Sequence, residues 1–328
     1  MSLLLSRGIR SSTARTYSAA QRIFFTFLNV YGVAYSLPCD EDTILLYVAY
    51  LDRRGIKGRS VRVYLAALRS LHIDAGYSVP ALDTPRLKRI LRSLDITNPP
   101  PRQKLPITLD ILQCLFNVVP PDYEGCVMRA AMACAFFGCL RASELCVVGS
   151  TFDPLRHLTL ADVQLFSCGL IKLVIKRSKT DTLSQGFSVF LRCTSDSVCA
   201  HCALLSMHRA RHQSGLTVAP QSPLFLLRPA THLSKYNFVT KTRHYLRLAN
   251  FDPDGYSGHS YRAGCATSAA LAGFSDWELQ LLGRWSSSAY LRYIRAPASL
   301  LASFSQRLSS PHPPVPHPAY TSNLFHSG

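Results

Sequence analysis

Two stretches of this sequence combine residue types that suit a phosphate. One is Gly258-His259-Ser260-Tyr261-Arg262. If Ser260 opens a helix running to Ala272, an imidazole and a guanidinium stand one turn apart at its N-terminus. Free N–H groups and the helix dipole already favour an anion there. The other is Gly138-Cys139-Leu140-Arg141-Ala142-Ser143-Glu144-Leu145, with an arginine at the junction of an apolar helix and the next one. A buried arginine needs a partner. Glu144, one turn on, would hold it and leave a guanidinium edge open. Taken singly, each pair also has an ordinary structural reading: a helix-end residue for His259, an intrahelical ion pair for Arg141.

Other chemistries find less support. Cys199-Ala200-His201-Cys202, followed by His208 and His212, offers zinc-ligand types. Only five residues separate the two pairs, against about a dozen in a zinc finger. Leu204, Leu205 and Met207 continue a helical pattern in which positions 199 and 212 lie roughly 20 Å apart. A helix with incidental Cys and His is expected, and no metal is assigned. Neither a Walker A loop nor Gly-x-Gly-x-x-Gly nor Gly-x-Ser-x-Gly occurs, so no cofactor is expected. The eleven cysteines are scattered, several inside apolar runs such as 130–136, and read as small buried hydrophobes. Their odd number and the lack of a secretory signal argue against a disulfide framework.

The elements that must position these residues are mostly helical. Tyr17, Ala20, Phe24, Phe27, Leu28 and Tyr31 give residues 13–31 one apolar face. Asp40 and Asp42 precede a capped helix through 44–51. Ser60 is expected to cap a third helix, with Val61, Tyr64, Leu65, Leu68 and Leu71 inward. Pro85 sits in the first turn of a fourth, whose Leu87, Ile90, Leu91 and Leu94 point one way. Its other positions are Arg86, Lys88, Arg89 and Arg92, bases with no acid among them. A proline-rich spacer at 98–107 then separates residues 1–97 from a second domain, 108–306, that opens with Thr108 as a cap. It contains an apolar helix near 122–139 and β-rich runs at 158–165, 170–176 and 187–192, with a turn at 178–181 between the last two. A short apolar run follows at 223–227. The Pro/His/Ser-rich 307–328 reads as a flexible tail.

Charge adds a partner. Across 328 residues, 36 Lys and Arg stand against 19 Asp and Glu, a net +17 at a pI near 9.6. Residues 1–98 hold 14 bases and 7 acids, so both halves are basic. Phosphate backbone is the commonest partner for such a surface, because each neutralised phosphate releases counterions. Arg outnumbers Lys, which suits bidentate phosphate contacts, although codon bias yields the same excess. The 48% hydrophobic content excludes a largely disordered chain, and no apolar run is long enough for a membrane span. The Arg- and Ser-rich, acid-free start of the chain has the composition of a mitochondrial presequence, but it flows into a patterned helix, and a basic DNA-facing helix explains it equally.

In order, Arg141, Lys179, His259, Arg262, Trp285 and Tyr293 resemble the active-site series of the tyrosine recombinase (phage integrase) family. Arg-Ala-Ser-Glu-Leu resembles its first arginine box, Arg177-Ser178-Lys179-Thr180 its β-hairpin lysine, and His259-x-x-Arg262 its second box. Gly283-Arg284-Trp285 is similar to its third position. The wording 282–295 is most similar to recombinases of eukaryotic DIRS, Ngaro and Crypton mobile elements. The resemblance implies a mainly α protein: a helical SAM-like core-binding domain and an α-rich catalytic domain with a small antiparallel sheet, clamped around DNA. It implies that Arg141 and Arg262 grip the scissile phosphate, Lys179 protonates the departing 5′ oxygen and His259 assists. Trp285 donates an indole N–H and Tyr293 forms a 3′-phosphotyrosyl link. Strand exchange on double-stranded DNA would then need no ATP or metal and would proceed in homo-tetramers, in the nucleus of a eukaryotic host or otherwise in the cytoplasm. Arg15, Arg59, Arg62, Arg86, Lys88, Arg89 and Arg92 are expected to contact DNA. Two points depart from the pattern. Trp285 to Tyr293 is eight residues, one short of the usual spacing, and Tyr290 offers a competing hydroxyl, though the Tyr-Ile-Arg context favours Tyr293. Lys172 and Lys176 compete with Lys179, whose turn position suits a reaching lysine better. Two other functions stay open: DNA relaxation of the type IB topoisomerase kind, and non-catalytic DNA binding by a domesticated protein.

Overall fold

The computed structural model describes residues 5, 8–98, 103–178, 181, 185–295 and 302. The chain divides into two compact units, Met1–Arg102 and Gln103–Gly328. Residues 99–102 of the expected linker, Lys179 and the 307–328 tail lie outside the described residues.

The first unit is built on α1 (Ser11–Tyr31), α2 (Glu41–Arg53), α3 (Gly58–Asp74) and α4 (Pro85–Thr97). Asp40 caps α2 by accepting from Thr43 N–H at 2.6 Å, and Thr84 caps α4 with Pro85 behind it. The helix expected to start at Ser60 starts two residues earlier; Ser60 lies inside its first turn and donates its N–H to Lys57 O. Phe24 and Phe27 meet Tyr47 at ring separations of 5.0 and 5.2 Å in the core, with Leu51, Val61, Leu68 and Leu87 around them. His72 is fully buried there and fully used: Cys39 N–H donates to Nε2 and Nδ1–H donates to Leu68 O.

The second unit runs α5 (Leu109–Val118), α6 (Tyr123–Phe137), the one-turn α7 (Ala142–Leu145), β1 (Val163–Phe166), β2 (Leu170–Ile175), β3 (Phe187–Arg192) and α8 (Ala200–Gln213). There follow β4 (Leu226–Leu227), β5 (Thr231–His232), α9 (Lys235–Leu248), α10 (Ser260–Leu271) and α11 (Asp276–Gly283). Helix α6 is apolar nearly all round and forms the centre of the core. The sheet β1-β2-β3 is an antiparallel meander whose Ile171, Leu173, Ile175, Val189 and Leu191 face inward. The strand expected from 158 begins only at Val163. Thr159 N–H and hydroxyl both donate to Asp162, folding Leu160–Asp162 into a 3-10 turn instead. Of the run 223–227, only Leu226–Leu227 is strand.

Part of the expected linker is docked rather than spacing. Leu105 N–H donates to Gly255 O and Ile107 N–H to Ser260 O. The close pass depends on Gly264, where an added Cβ would lie 1.7 Å from Ile107 O. Arg211 on α8 is wholly buried and ties down the loop after its helix by donating to Thr217 O, Pro223 O, Leu224 O and Ser222 Oγ.

Candidate active site

The turn between α6 and α7 is a point of convergence. Gly138 ends α6 and Cys139 takes a positive φ of 47°, which turns the chain so that Arg141 opens α7. Glu144 folds back on Arg141 twice: its carboxylate accepts from the Arg141 backbone N–H at 2.8 Å and from Nη1 at 2.6 Å. Ser178, following β2, completes this node, donating to Glu144 at 2.7 Å and accepting from Arg141 at 3.1 Å. Burial pushes the Glu144 carboxyl up, but the hydrogen bonds from Arg141 and Ser178 outweigh it and hold the group below its ordinary range.

Arg262, one turn into α10, is fully buried and donates to the carbonyls of Cys139 and Gly283. Its guanidinium lies 4.4 Å from the Trp285 ring centroid and 5.5 Å from that of Tyr293, whose rings are 5.3 Å apart. Its Nε and the indole Nε1 of Trp285 are buried and find no hydrogen-bond partner among the described residues. Gly283 makes this stacking possible, since a Cβ there would fall 1.8 Å from Trp285 Cζ3. Gly258 lets the start of α10 abut Ala142 of α7, the two Cβ positions being 3.1 Å apart. His259 stands exposed at the N-terminus of α10, so the two boxes present a surface imidazole and a sunken guanidinium.

Sequence reasoning passed over Arg284, which binds the whole arrangement. It ends α11 in the left-handed region at φ 56° and donates to Gly138 O, Cys139 O and Leu282 O, with Glu144 at 3.8 Å and the Phe187 ring at 4.2 Å. Only its place in Gly-Arg-Trp marked it, and nothing local signals a left-handed arginine. The guanidinium groups of Arg141 and Arg284 thus meet one carboxylate, Glu144, and Arg262 joins them through the Cys139 carbonyl that it shares with Arg284.

The two tyrosines separate. Tyr290 is buried, and the Asp276 carboxylate near its hydroxyl, with burial, pushes the phenol up. Tyr293 is half-buried with its ring against Arg262, and Thr267 holds the backbone around it by donating to Tyr293 O and accepting from Arg295 N–H. Among the competing lysines, Lys176 is tied to Asp162 at 2.7 Å and to Pro154 O and His157 O. Lys172 sits half-buried within β2.

Residues 1–74 match the family model "Phage integrase, N-terminal SAM-like domain". An integrase/recombinase xerD homolog of Selenomonas ruminantium is 27% identical over 275 residues, covering 81% of this chain and 76% of that protein. Among solved structures, the Tn1549 transposon integrase in complex with transposon right end DNA superposes with a TM-score of 0.63 at 14% identity, over 92% of this chain and 95% of that one. The XerH site-specific recombinase in a post-cleavage complex gives 0.61 at 14% identity, over 90% and 80%. Together these findings support the phage integrase, or tyrosine recombinase, family.

Within that recombinase fold, the seven basic residues expected at DNA fall into two groups. Arg15, Arg59, Lys88, Arg89 and Arg92 are exposed and carry no ion pair among the described residues. Arg62 instead pairs bidentately with Asp95 at 2.8 and 2.7 Å, and Arg86 reaches Glu41 and Asp42 at 3.2 Å. The all-basic face read along α4 is therefore partly neutralised by acids from elsewhere in the unit. No helix among the described residues is long and apolar enough to cross a membrane.

Proposed function

We propose that this protein is a site-specific DNA recombinase or integrase that cuts and rejoins duplex DNA through a 3′-phosphotyrosyl intermediate. The observation that carries the reading is the surplus of positive charge: three guanidinium groups with one carboxylate, beside a phenol. Buried charge of one sign is costly unless an anion joins it, and a scissile phosphodiester supplies one.

In this reading the Tyr293 oxygen attacks phosphorus, and the bond to the 5′ oxygen breaks. Lys179, the residue after Ser178, delivers a proton to that leaving oxygen, and His259 assists proton transfer. Arg141 and Arg262 hold the non-bridging oxygens where charge accumulates in the five-coordinate transition state, each such donor contributing about 10²–10³ in rate. The Trp285 N–H, without a partner among the described residues, adds a further donor. The phosphotyrosyl bond stores the cleaved linkage, so rejoining needs neither ATP nor a metal at phosphorus. Arg284 keeps Glu144 and the Cys139 turn in place and so acts by positioning.

Double-stranded DNA as substrate and assembly in tetramers are supported by similarity to complexes such as a lambda integrase tetramer bound to a Holliday junction, which matches with a TM-score of 0.57 at 14% identity. The run Leu282-Gly283-Arg284-Trp285 through Arg295 supports an origin in a eukaryotic mobile element, hence nuclear residence. A nicked suicide duplex incubated in EDTA without nucleotide tests the function: a protein–DNA adduct stable to denaturant is expected. Binding with no adduct would sink the enzyme and leave a DNA-binding protein; relaxation of plasmid with no joined products would point to a topoisomerase-like activity.

A further inference from the structure

The motif dismissed as incidental acquires a different partner in the fold. Helix α8 carries His208 and His212 along an exposed stretch, away from Cys199 and Cys202 at its start. What reaches those cysteines is Cys193, one residue beyond β3, where its N–H is fixed to Gly169 O. The Sγ of Cys193 lies 3.6 Å from that of Cys202 and 3.9 Å from that of Cys199. A ring nitrogen of His201 joins Cys193 and Cys202 with all donor atoms within 4.8 Å of one another. Tetrahedral zinc with Zn–S bonds of about 2.3 Å sets its sulfurs about 3.8 Å apart, close to both measured spacings.

Two further observations point to a ligand. The His201 Nδ1 is buried with no hydrogen-bond partner among the described residues, an arrangement that a metal or its coordination would relieve. The Cys199 sulfur caps α8 and accepts N–H groups from Thr194 at 3.4 Å and Cys202 at 3.5 Å, donors that stabilise a thiolate. A disulfide would use two of the sulfurs and leave the third and the imidazole without a role.

We propose that Cys193, Cys199, Cys202 and His201 bind one structural Zn²⁺, which fastens the end of β3 to the first turn of α8. The set is three thiolates and one imidazole, a closed structural type with no position for substrate. It shares no residue with the arginine cluster, and its test needs no DNA.

The full chain, purified under reducing conditions from zinc-supplied cells, should contain about one zinc per chain by mass spectrometry of the metal. Cobalt replacement should give the intense visible bands of tetrahedral coordination and thiolate charge transfer. Stripping the zinc with a chelator should lower Tm by roughly 5–10 °C, the shift for metal at 100 times its Kd on a unit of this size. Cys193→Ser, His201→Ala and the exposed-site change Cys202→Ser should each weaken zinc by more than the roughly 10–100-fold that loss of an outer-shell partner costs. His208→Ala with His212→Ala, or Cys114→Ser with Cys168→Ser, should leave it unchanged. The cobalt spectrum of the unaltered chain holds its meaning even where a variant misfolds. Absence of bound zinc and of those bands, loss of zinc on changing His208 and His212, or a Cys193–Cys202 disulfide in reduced-state preparations would overturn the proposal.

Discussion

Arg262 is buried with no carboxylate partner among the described residues, held by two backbone carbonyls and by the faces of Trp285 and Tyr293. A planar fork with donors on both sides is what that niche requires, so lysine is no substitute. Arg262→Lys should cut single-turnover cleavage of a suicide duplex by about 10²–10³ while binding survives; a loss under tenfold would remove Arg262 from the chemistry. Glu144 makes a second prediction, on pH. Its folded pKa lies below its unfolded one, so its contribution is present above about 4.5 and is lost as pH falls through the depressed folded value. Glu144→Gln should flatten the acid limb of the stability curve and, by leaving Arg141 uncompensated, cost about 3–5 kcal/mol near neutrality in denaturant titrations. The Arg141–Glu144 pair was legible because three residues on a helix fix its geometry. Arg284 was not, because its role follows from a left-handed backbone conformation and from carbonyls more than a hundred residues away.

At the scale of elements, glycines decide how closely the pieces approach. Gly283→Ala would drive a methyl into the Trp285 ring, and since α11 must shift or the ring must leave Arg262, cleavage should fall by about 10². Comparing indole fluorescence with cleavage rate separates a displaced Trp285 from general unfolding; an unaltered rate would show that the stacking is dispensable. The helices were legible from their start signals and periodicity, Asp40, Pro85 and Thr108 among them, while the Thr84 cap went unread. Errors arose where side chains compete with the ladder: Thr159 and Asp162 capture backbone N–H groups and delay β1 to Val163. Cys193 was missed as a partner of Cys199 because the two meet only through the fold of the short connection from β3 into α8, which no spacing rule marks.

Over the whole molecule, composition predicted a polyanion and could not say which of its 36 bases meet it. Ion pairing sorts them. Arg89→Gln with Arg92→Gln should reduce the slope of log K against log salt by about 0.9 for each phosphate left without its arginine, whereas Arg62→Gln and Arg86→Gln should change it little. Equal slopes for both pairs, measured by fluorescence anisotropy on one duplex, would show that the Asp95 and Glu41/Asp42 pairs open on DNA. The charge surplus of the arginine cluster and the phenol beside it make one claim of the whole chain: Tyr293 becomes joined to DNA. Digesting the trapped adduct and sequencing its nucleotide-bearing peptide by mass spectrometry tests this most directly. The phosphate is predicted on the Tyr293 oxygen, with Tyr293→Phe abolishing the adduct and Tyr290→Phe retaining it. A phosphate on Tyr290, or an adduct that survives Tyr293→Phe, would contradict the account.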